Sequence, residues 1–472
     1  MLFYEPLFLF LFLPIFFALF LAVRRRARGR EWVLLGASLF FYLWSEPLFV
    51  PVVIATCATD FMLARQLHRP GRAGRVCLAA GILINVAMLF YYKYTAFAVD
   101  NLDVLLVSAG LRAWNVGRVA LPVGVSFIVF EKITYLVDIR RGRSEPAPGF
   151  ATYLLYVFLF PKLLAGPIIK YHELEAQLLD FGHSRWIDIA EGFQRFMVGV
   201  VKKTIVADTL ASGSDMTFAV DPALLGCADA WWGVVFFTFQ IYIDFSAYSD
   251  MAIGLALMLG FRLNENFNHP YISGSVTEFW RRWHISLSTW IREYLYIPLG
   301  GNRVSVGRQY ANLWICFLAS GLWHGAAWTY VLWGAYNGFF LMIERLFLGR
   351  LLGRMPRLAA TLVTFAVTMV GWTVFRAGSL DQAGAFFAAM VHPALESSAR
   401  AVIRTPQMMT AVGVAAAISF LPGLNAYVRT AGAVVAAPFG RAVLQTALLL
   451  LFVLALAKAL ADPFTPFLYF RF

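Results

Sequence analysis

Charge is what this sequence has least of. Asp, Glu, Lys and Arg make up 14% of its 472 residues and hydrophobic residues 60%, where soluble domains carry about 25% charged residues. Mean hydropathy is +0.69. No polar tract is long enough to fold as a separate soluble domain, so residues 1–472 read as one membrane domain. Cysteine is as sparse: Cys57, Cys77, Cys227 and Cys316 stand singly in apolar segments. Without CxxC spacing they read as small buried hydrophobes, not as a redox or zinc motif. The seven histidines are far apart, with no HxxxH or HExxH, which leaves no metal site legible. A basic region ahead of the first apolar run is missing too, so that run does not read as a cleavable signal peptide. No internal repeat is visible.

What is present is apolar run after apolar run of about 20 residues, each enough to cross a bilayer as a helix. Leu2–Val23, Trp32–Leu43, Leu48–Leu67, Val76–Phe97 and Leu121–Ile139 come first. Trp231–Leu259, Tyr310–Leu322, Thr329–Phe347, Leu358–Phe375, Met408–Leu421 and Ala442–Leu460 follow. The expected fold class is therefore an all-α polytopic integral membrane protein with about eleven spans. Ala151–Ile169, broken by Pro161, Gly166 and Pro167, reads as re-entrant, because discontinuous backbone at membrane depth must be buried in protein or line water. Tyr171–Ser212, of mixed polarity, reads as an interfacial cytoplasmic helix. Glu131, inside the fifth run, should face protein or a cavity.

The net charge of +12 is unevenly placed. Arg24, Arg25, Arg26, Arg28 and Arg30 follow the first run, Arg65, Arg69, Arg72 and Arg75 the third, and Arg140, Arg141 and Arg143 the fifth. The loops between them are poor in Lys and Arg. This alternation puts the Arg clusters in the cytoplasm and the N-terminus outside. Orientation and anionic membrane lipid account for the basic balance, and nucleic acid is not an expected partner.

Two histidines stand out. His324 lies in Ser320-Gly321-Leu322-Trp323-His324-Gly325 within an apolar helix. Burial disfavours a charged imidazole, and a neutral one beside a hydroxyl is a general base. The packing alternative stays open, since Gly321 and Gly325 form a GxxxG face. His284 lies in Phe279-Trp280-Arg281-Arg282-Trp283-His284-Ile285-Ser286, where Val276, Phe279, Trp280, Trp283, Leu287, Trp290, Ile291 and Tyr294 recur at helical spacing. That pattern reads as an amphipathic interfacial helix with aromatic anchors. Arg281, Arg282, Arg292 and Arg303 then either anchor the helix or form a basic mouth for an anionic acyl donor. Asp244 and Asp250, within a polar interruption of the Trp231–Leu259 run, are costly in a span unless paired or wet. They orient His324 or a substrate hydroxyl, or they satisfy structural groups.

The segments Tyr242–Gly254, Asn268–Arg303 and Gly321–Arg345, with the terminal Pro466–Phe472, resemble the membrane-bound O-acyltransferases (MBOAT). The resemblance is strongest to the bacterial branch of alginate O-acetyltransferases and D-alanyl transfer proteins. It covers roughly Leu121–Arg345 plus the tail. Ala327 and Asn337 depart from that branch, which often has Asn and His there. The resemblance implies that His324 is the catalytic histidine and His284 its second signature histidine. Asp244, Asp250, Trp283, Arg281, Arg282, Arg292, Arg303 and Trp323 are the candidates for binding donor or substrate around them. It implies helices ringed around a central funnel, with no permanently bound cofactor. The donor would be acetyl-CoA or an acyl-carrier thioester. A periplasmic acetyltransferase partner, and an acyl carrier protein where the donor is carrier-bound, would complete O-acetylation of an exopolysaccharide at the bacterial inner membrane. A transporter or flippase for an acyl group or polysaccharide is the alternative, although paired broken helices in repeats are not visible. A scaffold for a polysaccharide synthase is a third.

Overall fold

Helices account for all the regular structure among the described residues of this computed structural model, which are 1–24, 26–68, 71–114, 116–117, 119–180, 185–393, 404–462 and 465–468. Arg25, Arg69 and the tail residues Tyr469–Phe472 lie outside that set. The all-helical class expected from the sequence is found. Arg72–Ser108, Arg357–Arg376 and Pro438–Ala461 are each long and apolar enough to cross a bilayer. Pro406–Gly423 and Tyr427–Ala436, bent by 95°, make a fourth if taken as one span. The apolar runs of the sequence predict about eleven spans. The difference arises because runs such as Val50–Ala64 and Val125–Arg140 fold into helices of 15 and 16 residues, shorter than the roughly 20 that a bilayer core requires.

The contacts divide the chain into two compact units. The first holds Met1–Phe193 with Ala252–Asn264. Its centre is the helix Val125–Arg140, packed against Arg72–Leu89 and Val50–Ala64. Glu131 and Lys132 point from this helix into protein. Glu131 pairs with Lys162, and Lys132 lies 3.4 Å from Asp60. All four side chains are buried, so the sequence expectation for Glu131 holds: a charge in an apolar helix finds a partner instead of lipid. The run Ala151–Ile169 breaks where expected. Phe150–Phe158 ends at Leu159, whose ψ of 103° is not helical, and a short turn Phe160–Leu163 follows.

The second unit holds Gln194–Met251 with Glu265–Phe472. The helix Cys227–Met258 runs unbroken for 32 residues, most of them in this unit. The polar stretch from Asp244 to Asp250 does not interrupt it. Helices Val306–His324 and Trp328–Ile343 form a hairpin closed by three residues. Glycine lets them touch: a Cβ at Gly321 would stand 2.2 Å from the Tyr330 carbonyl oxygen, and one at Gly334 2.4 Å from that of Phe317. The helix-packing reading holds for Gly321 but not as a GxxxG face: Gly325 lies beyond the helix end in extended conformation, and the second glycine of the close approach is Gly334. Gly321→Val is expected to cost about 3 kcal/mol or more, the upper range of overpacking. Gly338→Ala should be mild, because its Cβ would meet Phe317 at an ordinary 3.5 Å. Thermal unfolding of both variants in detergent checks the contrast; equal midpoints would contradict the close approach.

Candidate active site

The segment expected as one helix from Val276 to Tyr294 is two. Val276–Arg282 begins on a capped N-terminus: Ser275 Oγ accepts from Glu278 N at 3.1 Å, and the Glu344 carboxylate accepts from Val276 N at 2.6 Å. It stops at Trp283. His284 then adopts the left-handed region at φ 42°, and Ile285–Ile291 starts a new helix. Such a conformation is uncommon outside glycine and persists only where surroundings enforce it. Here the enforcing segment is the loop Asn266–Asn268. Asn268 N donates to Arg282 O and Ile285 N donates to Asn266 O, both at 2.9 Å. These bonds satisfy backbone groups that the break releases.

The apolar face of this segment corrects a second expectation. Val276, Phe279, Trp280, Trp283, Leu287 and Trp290 are buried in protein, not laid on an interface as anchors. Trp283 packs among Trp372, Phe267 and Phe279 at ring distances of 4.9, 5.1 and 5.6 Å. The spacing was read correctly as amphipathic, but its partner is an aromatic core contributed by distant helices.

That core brings the two histidines together. His324 is the last residue of its helix, followed by Gly325 in extended conformation. Its ring lies 6.5 Å from His284, 5.1 Å from Trp323, 5.1 Å from Trp333 and 5.4 Å from Phe375. His284 is fully buried and His324 is 6% exposed. Phe245, from the long helix, meets the His284 ring edge-on at 4.7 Å. Two imidazoles thus share an aromatic box from which bulk water is largely excluded. Such a box can hold an uncharged base beside a reacting carbonyl and strengthens any dipole acting there.

Asn266 is the site residue that sequence reasoning missed. Its side-chain oxygen accepts from Ser286 Oγ at 2.9 Å and Ser286 N at 3.2 Å, and lies 3.2 Å from His284 Nδ1. Its amide nitrogen donates to Ser249 Oγ at 3.2 Å. Nothing in the sequence signals this, since Asn266 is 18 residues from His284.

The acidic candidates sit elsewhere. Asp244 Oδ1 pairs with Lys203 at 2.9 Å and its Oδ2 accepts from Leu468 N at 2.7 Å. Lys203 also pairs with Asp208 at 2.8 Å. Asp250 is held by Arg195 at 3.1 Å and Lys202 at 2.9 Å. Both carboxylates are paired within the protein, which meets the expectation that a charge in such a helix finds a partner.

The arginines divide. Arg282 donates to Glu278 at 3.0 Å and to Asn268 O at 3.1 Å, tying the break together. Burial opposes the charge of Glu278, but Arg357, the Gly274 N–H and Arg282 outweigh it and hold its carboxyl down at about 2. Arg281, Arg292 and Arg303 are exposed, with Arg292 3.5 Å from Glu293.

Comparison with known proteins places the chain among acyltransferases. The model of the membrane-bound O-acyltransferase family matches residues 143–375, which include both histidines and Asn266. A probable alginate O-acetylase of Azotobacter vinelandii is 43% identical over 83% of this chain and 78% of its own length. One of Pseudomonas putida is 39% identical over the full length of both. A peptidoglycan O-acetyltransferase of Helicobacter pylori is 35% identical over 81% of this chain and 78% of its own. An aromatic box closing on two histidines, in an apolar helical chain with such relatives, leaves one assignment: the chain belongs to the membrane-bound O-acyltransferase family and is a multi-pass membrane O-acyltransferase.

Proposed function

We propose that this chain takes an acetyl group from a cytoplasmic thioester and passes it across the bacterial inner membrane for O-acetylation of an exopolysaccharide of the alginate kind. The observation that carries the reading is the meeting of His284 and His324 in one buried aromatic box. The names of the relatives, alginate O-acetylase and peptidoglycan O-acetyltransferase, supply the acyl group and the class of acceptor. The N-terminus faces the periplasm, as the distribution of arginine suggests, and residues 1–472 act as one membrane domain.

The chemistry is an acyl exchange. The acceptor oxygen attacks the thioester carbonyl while His324 takes the hydroxyl proton. The tetrahedral centre collapses, the C–S bond breaks, and the proton leaves with the thiolate as a thiol. No net proton, oxidant or resident cofactor is required. Coenzyme A or an acyl carrier protein presents the thioester, and a periplasmic acetyltransferase partner completes delivery to the polymer. Purified chain in liposomes, given thioester labelled in the acetyl group, tests this directly. Label should reach an ester on the acceptor or partner. Label that crosses as unreacted thioester identifies a transporter, and no turnover with the partner present sinks the reading.

Arg281, Arg292 and Arg303 form the entry for the anionic donor. Replacing all three by Gln is expected to raise the KM for donor about tenfold with kcat little changed, because exposed charge steers and captures substrate more than it acts on the transition state. The wild-type KM should rise with salt over the same range. Steady-state kinetics at low and high ionic strength check both.

A further inference from the structure

The hydrogen bonds around Asn266 fix the proton of His284. An imidazole nitrogen near an amide group can donate or accept, and the pair alone does not say which. The surroundings do. The Asn266 atom facing His284 is also bonded by the Ser286 backbone N–H, which can only donate. That atom must be the carbonyl oxygen, and the opposite amide nitrogen correspondingly donates to Ser249 Oγ. A carbonyl oxygen can only accept, so the His284 nitrogen 3.2 Å away, Nδ1, must carry the hydrogen. A neutral ring protonated at Nδ1 has its lone pair on Nε2.

We propose that Asn266 is a positioning residue that holds His284 in the Nδ1–H tautomer, so that Nε2 enters the site as a hydrogen-bond acceptor. This rests on the acyl-transfer reading above and adds a role to it. An acceptor nitrogen does not stabilise an oxyanion, which needs donors. His284 therefore acts on the protic leaving group: with the hydroxyl's one proton taken by His324 and passed to sulfur, Nε2 accepts a hydrogen bond from the departing thiol. His324, on the other side of the box, moves the proton. Three features of the fold serve the arrangement. The left-handed turn at His284 turns the ring toward Asn266. The Ile285 N to Asn266 O bond holds the two backbones together. Asn266 is itself fully buried, so no water competes for its oxygen.

Two measurements on the full chain in lipid nanodiscs test this. With ¹⁵N-labelled histidine, the His284 signals, assigned by their loss in His284→Gln, should show a protonated Nδ1 and an unprotonated Nε2. Asn266→Leu, similar in size but without an acceptor, should lose that tautomer. Its kcat should fall on the order of 10²-fold, the scale of a misplaced acid–base group, with the KM for donor within about threefold. Asn266→Asp, which keeps an oxygen facing Nδ1, should retain the tautomer and recover most of the kcat. An Nε2–H tautomer in the wild type overturns the proposal. So does an Asn266→Leu variant that loses kcat while keeping Nδ1–H, because Asn266 would then act only through packing. A His324→Ala variant that kept its activity would overturn the transfer reading instead, and would leave the tautomer result intact.

Discussion

His324→Ala is expected to lower acetyl transfer by about 10³-fold or more in protein that remains folded and inserted. The scale is that of removing a general base from a site with no substitute nucleophile activation. The position of His324 separates chemistry from packing. It is the last residue of its helix, while the close approach in the hairpin is made by Gly321 and Gly334. Truncating the ring therefore leaves that contact in place. It does open a void among Trp323, Trp333 and Phe375, whose rings stand 5.1–5.4 Å away. His324→Gln fills much of that void and retains polarity, yet cannot carry a proton through the exchange. Both variants should be equally inactive. The readout is ester content of the exopolysaccharide by mass spectrometry, beside turnover in liposomes. Near-normal ester in either variant refutes the role, and activity in Gln but not Ala assigns His324 to packing.

How much of this was legible in the sequence depended on how local each cause was. A histidine beside a GxxxG face, a carboxylate in an apolar run and a proline-broken segment each announce themselves within a few residues. Glu131 and the break near Leu159 are accordingly found as expected, and His324 is found buried at the end of its helix. The amphipathic spacing from Val276 to Tyr294 was also real. Its partner and its continuity were not readable, because the aromatic face is covered by Phe267 and Trp372 and the break is enforced by Asn266–Asn268. The run Trp231–Leu259 was legible as one long span, but not what makes the charge of Asp244 and Asp250 tolerable within it. Lys203 and Arg195, roughly 40 to 55 residues upstream, remove the cost of that charge, and the long helix continues. Asn266 was invisible for the same reason: its meaning is a contact, and a lone asparagine in a polar stretch has no spacing to betray it.

The Lys203 cluster carries the other large effect, on stability. Lys203 is 1% exposed and lies between Asp208 at 2.8 Å and Asp244 at 2.9 Å, with its ammonium 4.6 Å over the Phe467 ring. Asp244 in turn receives the Leu468 N–H, which binds the chain's last described residues to the long helix. Lys203→Ala would leave the buried Asp244 and the half-buried Asp208 without this cation, a change expected to cost about 3 kcal/mol, the lower end for breaking a buried pair because Asp208 is partly exposed. Asp244→Asn should be milder. Its amide oxygen still accepts from Leu468, and Lys203 keeps Asp208. The expected order of thermal midpoints in detergent is wild type, Asp244→Asn, then Lys203→Ala well below; a Lys203→Ala midpoint near the wild type would show that the cluster is wet and its charges screened. The same pair of variants separates structure from chemistry at Asp244. Were Asp244 to orient His324, neutralising it would depress kcat nearly as far as His324→Ala while moving the midpoint little. With Asp244 committed to Lys203 and Leu468, the loss in Asp244→Asn should instead be far smaller than that of His324→Ala, and should shrink further when activity is measured well below the variant's midpoint.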